Sequence, residues 1–444
     1  MADNNQFALL GSRRFLPFFC TQFLGAFNDN VFKSALMVII AFRLAADQAN
    51  TLNNLAAGLF ILPFFLFSAT AGQLADKYDK ALLIRRIKLA EIGISLFGVV
   101  ALVSGSNALC LTVLFLLGVQ SAFFGPIKYA ILPQHLHKAE LVGGNALVEM
   151  ATFVAILGGT IVGTILSGAS DTDSNIFWIG GLIIAIAVIG YLVCRAIPVA
   201  APPVPDLKIE LNPFRQTARV LKEVSKSPAI FYAIVGISWF WLLGVAYLTQ
   251  IPSFAKNVLG GNEPIVALLL CSFTIGVAIG SLLCGRLSGG RVELGLVPIG
   301  AAGLTYAGIA LSVIGGNLAP LADVSLTAFW GSPGAHAFLF HLVLIGIFGG
   351  LYIVPLYAMI QERSAEAIRA RVIAMTNIMN SLFMVISALL GIIFLSLLSF
   401  TIPQFFMVIA LMNAAVAVFV FTKVPEFAMR LMIWLLSHTM YRVK

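Results

Sequence analysis

Charge is scarce in this chain. Its 444 residues include 27 Lys and Arg and 19 Asp and Glu, only 10% of the total, where soluble domains carry about 25%. So few charged side chains cannot cover a globule of this size. That excludes a cytosolic enzyme, a secreted scaffold and a nucleic-acid-binding domain. Cysteine is sparse too. Cys20, Cys110, Cys194, Cys271 and Cys284 all fall in apolar runs, and no pair has the spacing of a zinc site or redox motif, so each reads as a buried thiol. His135 and His137 have no further metal ligands near them in sequence, and there is no phosphate-binding loop or nucleophile elbow. Apolar side chains are abundant: 60% of residues are hydrophobic and the mean hydropathy is +0.99. The 39 Gly and 18 Pro are scattered through these apolar runs, as in transmembrane helices. The runs are continuous rather than alternating, which excludes a membrane β-barrel. The composition therefore describes an all-α integral membrane protein.

A span needs about 20 mostly apolar residues. Twelve such runs are present, at 15–42, 52–75, 86–105, 108–131, 143–167, 175–197, 229–254, 262–286, 294–315, 337–361, 371–398 and 401–422. Two stretches interrupt the rhythm. Residues 199–228 begin Pro-rich and become charged with a helical pattern from Phe214 to Lys226, and 316–336 form a long Gly- and Pro-containing loop. The expected division is a six-helix bundle over 1–198, a cytoplasmic linker over 199–228, a second six-helix bundle over 229–423 and an interfacial tail helix over 424–444. All but three of the Lys and Arg (Lys33, Arg43 and Lys256) lie at the termini, in even-numbered loops or at the adjoining helix ends. That asymmetry puts both termini in the cytoplasm. The basic excess thus faces anionic lipid and implies no nucleic-acid partner. The N-terminus shows no cleavage site after its first apolar run, so the first helix is expected to remain in the membrane.

The two halves echo each other. Gly72 and Leu74 match Gly285 and Leu287 at an offset of 213, while Tyr129, Ala146 and Gly163 match Tyr357, Ala374 and Gly391 at an offset of 228. A parallel repeat of two six-helix halves is the major facilitator architecture, with its substrate site between the halves near the midplane. The segment at 72–80, GQLADKYDK, resembles the loop signature G-x-L-A-D-[RK]-x-[GD]-[RK] of that superfamily. Its glycine lets helices approach, and its acid can cap a helix N-terminus or pair with a base across the interface. Gly72, Asp76, Lys77, Lys80 and Arg85 are accordingly the candidate gating residues. The second copy, from Gly285 to Arg291, has lost its acid.

Ionisable groups inside a membrane are functional candidates by default. Asp29 and Lys33, four residues apart in the first span and flanked by Asn28 and Asn30, share one helical face. They form either a self-neutralising structural pair or a polar lining for substrate or coupling ion. Glu149 lies in the fifth span, and its counterpart in the second half is Asn377. Glu91, within a turn of Lys88, reads as a structural pair. Lys128 follows Pro126 and either snorkels to the cytoplasm or reaches the cavity. Tyr357 holds the matching place in the tenth span, which closes with Gln361, Glu362 and Arg363. Adjacent Glu362 and Arg363 cannot face each other on a helix, so each is expected to find a partner elsewhere. Gly159 with Gly163, Gly276 with Gly280 and Gly346 with Gly350 read as close helix packing.

Five segments taken together, 22–30 (QFLGAFNDN), 72–76 (GQLAD), 126–132 (PIKYAIL), 145–151 (NALVEMA) and 354–363 (VPLYAMIQER), resemble the bacterial lysophospholipid transporter (LplT) branch of the major facilitator superfamily. The resemblance implies movement of lysophospholipids, chiefly lysophosphatidylethanolamine, from the outer to the inner leaflet of the bacterial inner membrane, where an acyltransferase restores the missing chain. It also implies an acyltransferase or acyl-carrier-protein synthetase as partner, fused or separate. Members of this branch carry an arginine in the seventh span, whereas residues 229–255 here hold no charged residue, so a phosphate would need Lys33 or Lys128. No cofactor is expected. Sodium or proton coupling, and a coupled carrier of another small molecule on the same fold, remain open alternatives.

Overall fold

The computed structural model describes residues 6–43, 46–168, 172–319 and 326–439. Twelve of its helices are long and apolar enough to cross a membrane. They are α1 (Leu16–Arg43), α2 (Ala46–Lys77), α3 (Lys80–Ser104), α4 (Asn107–Ala130), α5 (Leu141–Gly168), α6 (Thr172–Cys194), α7 (Pro228–Asn257), α8 (Glu263–Leu287), α9 (Leu296–Asn317), α10 (Ala335–Arg363), α11 (Arg369–Gly391) and α12 (Ile402–Lys423). Each coincides with one of the twelve apolar runs. The boundaries differ most at α2 and α3, which start six residues before the expected 52 and 86, and at α11, which ends at Gly391 rather than 398. The Asp79 side chain accepts the Leu82 amide at 2.7 Å and caps α3, so Lys80 and Arg85 are helical rather than loop residues.

Local chemistry sets the other ends. Gly105 in the left-handed region (φ 66°) closes α3, and Ser106 caps α4 immediately afterwards, a turn that favours glycine. Thr401 and Gln404 form a reciprocal capping box at the start of α12. α11 continues into a π-helical turn at Ile392–Leu397. The linker holds a helix at Pro213–Val224 capped by Asn212, and the 316–336 loop holds a short helix at Leu326–Gly331, with 320–325 outside the described residues. The tail forms a helix at Glu426–Thr439. Its Phe427 is buried while Met429, Met432, Ile433 and Leu436 form an exposed apolar stripe. The basic end of the sequence, from 440 to 444, lies outside the described residues.

Glycine sets the tightest packing. A Cβ on Gly159 or Gly163 of α5 would strike the backbone of Phe27 or Val31 in α1. Gly276 and Gly280 of α8 meet α10 equally closely, and Gly346 and Gly350 return the contact, as expected where helices lack a hydrophobic driving force and depend on close approach. Between the halves, α2 lies against α11 and α5 against α8. These two seams frame the centre of the molecule.

Candidate functional site

The site is built from α4 and α5 of the first half and α7 and α10 of the second. Tyr129 and Tyr357, the repeat-related pair, stack across the halves with ring centroids 4.1 Å apart and planes within 5°. The Tyr129 hydroxyl donates to Oε1 of Glu149. Glu149 is fully buried, and its second oxygen, Oε2, has no partner among the described residues. A buried carboxylate oxygen left unpaired is costly and marks a place where a donor belongs. Lys128 is next to Tyr129, but its ammonium turns to the Thr152 hydroxyl at 2.7 Å. Thr152 in turn donates to Val148 O at 2.7 Å and lies 3.2 Å from Gln22 Oε1, leaving Gln22 Nε2 buried and unpaired. Lys128 and Glu149 therefore share a site without closing an ion pair. Phe153 stacks on Trp241 of α7 at 5.9 Å and closes the site toward the second half. Asn377, the counterpart of Glu149, is buried on α11 with its Nδ2 unpaired, pressed against Gly125.

A second polar cluster lies inside the first half. Asp29 takes the Ser121 hydroxyl at 2.5 Å and Gln120 Nε2 at 3.0 Å. It makes no ion pair with Lys33, whose ammonium stands 5.5 Å over the Phe60 ring. The spacing of four does put both residues on one helix, but neutral donors from α4 reach Asp29 instead. Asn30 bonds back to Ala26 O at 2.8 Å. Asn28 donates to Glu91 Oε1 at 3.1 Å, and Glu91 closes an ion pair with Lys88 at 2.5 Å, both side chains almost fully buried. Gln120, Ser121 and Thr152 were not singled out by sequence reasoning, because neutral polar residues barely disturb an apolar run.

Every described hydrogen bond between the halves lies at one end of the bundle, the end carrying the expected cytoplasmic loops. Asp76 Oδ2 pairs with Arg371 Nε at 2.8 Å, and its Oδ1 accepts the Ala370 amide at 3.2 Å. The carboxylate thus sits on the N-terminus of α11, where the helix dipole favours it. Gly72 makes this possible, since a Cβ there would meet Ala374 Cβ at 2.7 Å. Asn145 and Gln361, both fully buried, exchange two hydrogen bonds at 2.6 and 2.9 Å. In this conformation Gln361 is engaged across the halves rather than free to meet a ligand. Glu362 is exposed at the end of α10, and its neighbour Arg363 binds Glu426 of the tail helix at 2.5 and 2.8 Å.

The remaining gating candidates divide. Lys80 is buried in the field of Asp76 and Glu366, with its ammonium unpaired. Lys77 is half-buried, 5.8 Å over the Tyr78 ring. Arg85 donates to Arg195 O and Ile197 O at 3.2 and 3.1 Å, holding the exit of α6 rather than crossing a seam. Arg371, the base that Asp76 meets, carried no sequence signal separating it from Arg369.

The family model for the Major Facilitator Superfamily matches residues 18–335. Among curated proteins, the Lysophospholipid transporter LplT of Serratia proteamaculans (strain 568) is 27% identical over 370 residues, covering 83% of this chain and 85% of that one. The Lysophospholipid transporter LplT of Yersinia pestis (strain Pestoides F) is 26% identical over 371 residues, 83% of each chain. Among solved structures, the human organic anion transporter MFSD10 (TETRAN) superposes with a TM-score of 0.70 at 11% identity, covering 92% of this chain and 99% of that one. The transporter FucP in its outward conformation gives 0.69 at 14% identity, covering 93% and 99%. At these identities the structural likeness is one of fold. With twelve membrane-length helices, these matches establish a multi-pass membrane protein that belongs to the Major Facilitator Superfamily and is similar to its lysophospholipid transporters.

Proposed function

We propose that the protein moves lysophospholipids, lysophosphatidylethanolamine first among them, from the outer to the inner leaflet of a bacterial inner membrane by alternating access, supplying them for reacylation. The observation that carries this reading is the unclosed pair at the seam: the Lys128 ammonium on Thr152, and Glu149 with one oxygen unpaired. Opposite charges this close in a buried site ordinarily pair. Held apart, they suit a ligand bearing both signs. Glu149 Oε2 accepts the ammonium of an ethanolamine head group, and Lys128, with Gln22 Nε2 beside it, takes the phosphate. Such a head group costs several kcal/mol or more to bring into hydrocarbon unpaired; the site meets both charges at once. The stacked Tyr129 and Tyr357 form its floor toward the basic end, and Phe153 and Trp241 offer an apolar wall to the glycerol and chain.

With the hydrogen bonds between the halves gathered at the basic end, this conformation is read as the one closed to the cytoplasm. Asp29, buried with Gln120 and Ser121, is the candidate for a coupling sodium ion or proton. The same group favours the second reading, a coupled carrier of another small solute. Purified protein in liposomes separates the two. Fluorescent lysophosphatidylethanolamine crosses leaflets in wild type and crosses much more slowly in Glu149→Gln. If it stays put in wild type while a soluble zwitterion is taken up, the lipid reading is lost and the second stands. Repeating the assay with and without a sodium or pH gradient, in wild type and Asp29→Asn, tests the coupling role.

A further inference from the structure

The repeat brings to light a latch that is present in one half and absent in the other. At the α2–α11 seam, Asp76 meets Arg371 and Gly72 lets the helices touch. The offset of 213 carries Gly72 to Gly285 and Asp76 to Gly289; the offset of 228 carries Gly143 to Arg371. Both charged members of the latch are therefore glycine in the matching positions of the other half. Gly289 lies just past the end of α8, where a Cβ would meet nothing within 4 Å, but Gly143 faces Gly285, the counterpart of Gly72, and the space left between these two is filled.

Gln6 fills it. The segment Gln6–Gly11 forms a 3-10 helix just before α1, with Gln6 and Leu9 buried. It is anchored to the first half: Arg14 binds Glu140 at 2.7 and 2.5 Å and His135 O at 3.0 Å. From that anchor the Gln6 amide crosses the seam and donates to Leu282 O of α8 at 3.0 Å. A Cβ on Gly143 would lie 2.9 Å from Gln6 Cβ, and one on Gly285 would collide with the Gln6 amide. A cavity of about 160 Å³ lined by Gln6, Arg14, Glu140, Gly143 and Gly285 adjoins the contact, so the amide has room to withdraw. Its Oε1 is buried without a partner, which keeps the contact weaker than a fully satisfied one.

We propose that the N-terminal 3-10 segment is a reversible wedge that closes the basic end of the α5–α8 seam, with Gln6 standing in for the ion pair that the second half lacks. The inference rests on the alternating-access reading. It gives the degenerate second copy of the loop signature a use: its glycines form the receptacle for a residue from outside both bundles. The chain can then release its two seams by different chemistry, one by breaking an ion pair and the other by withdrawing an amide.

Electron–electron distance measurements on the full chain test it, with spin labels at Lys138 and Arg291, both exposed and on opposite sides of the seam, in a background without native cysteines. Gln6→Ala is expected to raise the open population at the basic end roughly fivefold, the shift that loss of one ordinary hydrogen bond gives. Gly285→Ala should act alike, since its methyl expels the amide, and the double variant should add little to either. Asp76→Asn serves as the reference opening. Unchanged distances in Gln6→Ala beside a clear shift in Asp76→Asn overturn the wedge alone. No shift in either overturns the alternating-access reading with it. Full additivity of Gln6→Ala and Gly285→Ala also overturns the wedge, because it would mean that the two residues do not act through one contact.

Discussion

The two six-helix halves share a fold and divide its chemistry unequally. Inside its spans the first half holds Asp29, Lys33, Lys88, Glu91 and Glu149, with Lys128 near the end of α4, whereas the second carries Asp, Glu, Lys and Arg only near helix ends. Its interior is held by neutral groups: Ser238 donates to Asn380 at 2.9 Å, Trp239 to Asn413 at 2.9 Å and Ser387 to Leu242 O at 3.0 Å. Buried charge is costly unless matched, so a chain that carries it in one half alone confines that cost to the half proposed to read the head group. On that proposal the second half serves as a neutral frame for the charged one.

The sharpest way to break this comparison is Glu91→Gln. The Lys88–Glu91 pair is almost fully buried, and removing one partner strands the other ammonium. The expected cost is about 3–5 kcal/mol, read as a large drop in thermal midpoint in detergent, with Lys88→Met/Glu91→Leu recovering most of it. If Glu91→Gln melts no earlier than the neutral second-half variant described below, the halves do not differ as argued. Next in size is Glu149→Gln. It removes a charged acceptor worth about 1.5–3 kcal/mol, and should slow lysophosphatidylethanolamine flipping roughly 10- to 100-fold with little change in melting. Equal slowing for a lysolipid whose head group has no ammonium would sever Glu149 from head-group reading.

How far the sequence reached follows the same division. Spans are a property of long apolar runs, so all twelve were legible, and the start of α3 was misplaced because Lys80 and Arg85 look like loop until Asp79 is seen to cap the helix. The Lys88–Glu91 pair was legible because both members lie on one helix. The partners of Asp29 were not. A helix shows which face a residue shares, but not which neighbouring helix will supply Gln120 and Ser121 to it. Arg371, Asn145 and Gln6 were missed for a related reason. Each acts across a gap between segments more than 200 residues apart, and nothing local distinguishes it. The repeat offsets did hold a usable signal for the seams, since they align Gly143 with Arg371 and Gly289 with Asp76.

A smaller effect sharpens the neutral side. Asn413 accepts from Trp239 Nε1 and donates to Ala301 O and Thr305 Oγ1, each at 2.9 Å. Asn413→Ala leaves the indole N–H buried and unpaired, a loss of about 1–3 kcal/mol that should appear in the thermal midpoint. The ratio of flipping rates for lysolipids with different head groups should stay as in wild type. A changed ratio would place part of the head-group reading in the second half and undo the division.

The smallest effect concerns charge exposed to water at the end of that second half. Arg363 holds the Glu426 carboxyl below its ordinary value, first through their hydrogen bonds and then by its charge with that of Arg430, against the opposing effect of partial burial. A carboxyl held down in this way stabilises docking of the tail helix at every pH above the ordinary glutamate value, about 4.3, and that contribution disappears as pH falls through the lowered value. The side chains remain about one-third exposed, 33% and 30%, so solvent and salt screen the pair and its worth is at most about 1 kcal/mol. Hydrogen exchange over residues 426–436 should therefore be faster in Arg363→Gln than in wild type at pH 7, with the difference gone at pH 3 and reduced in 1 M salt. Equal exchange at pH 7 would mean that the tail is held by Phe427 and its apolar neighbours alone. The ion pair would then contribute nothing, in contrast with the pair on α3, which is almost fully buried, so that the loss of one partner cannot be screened.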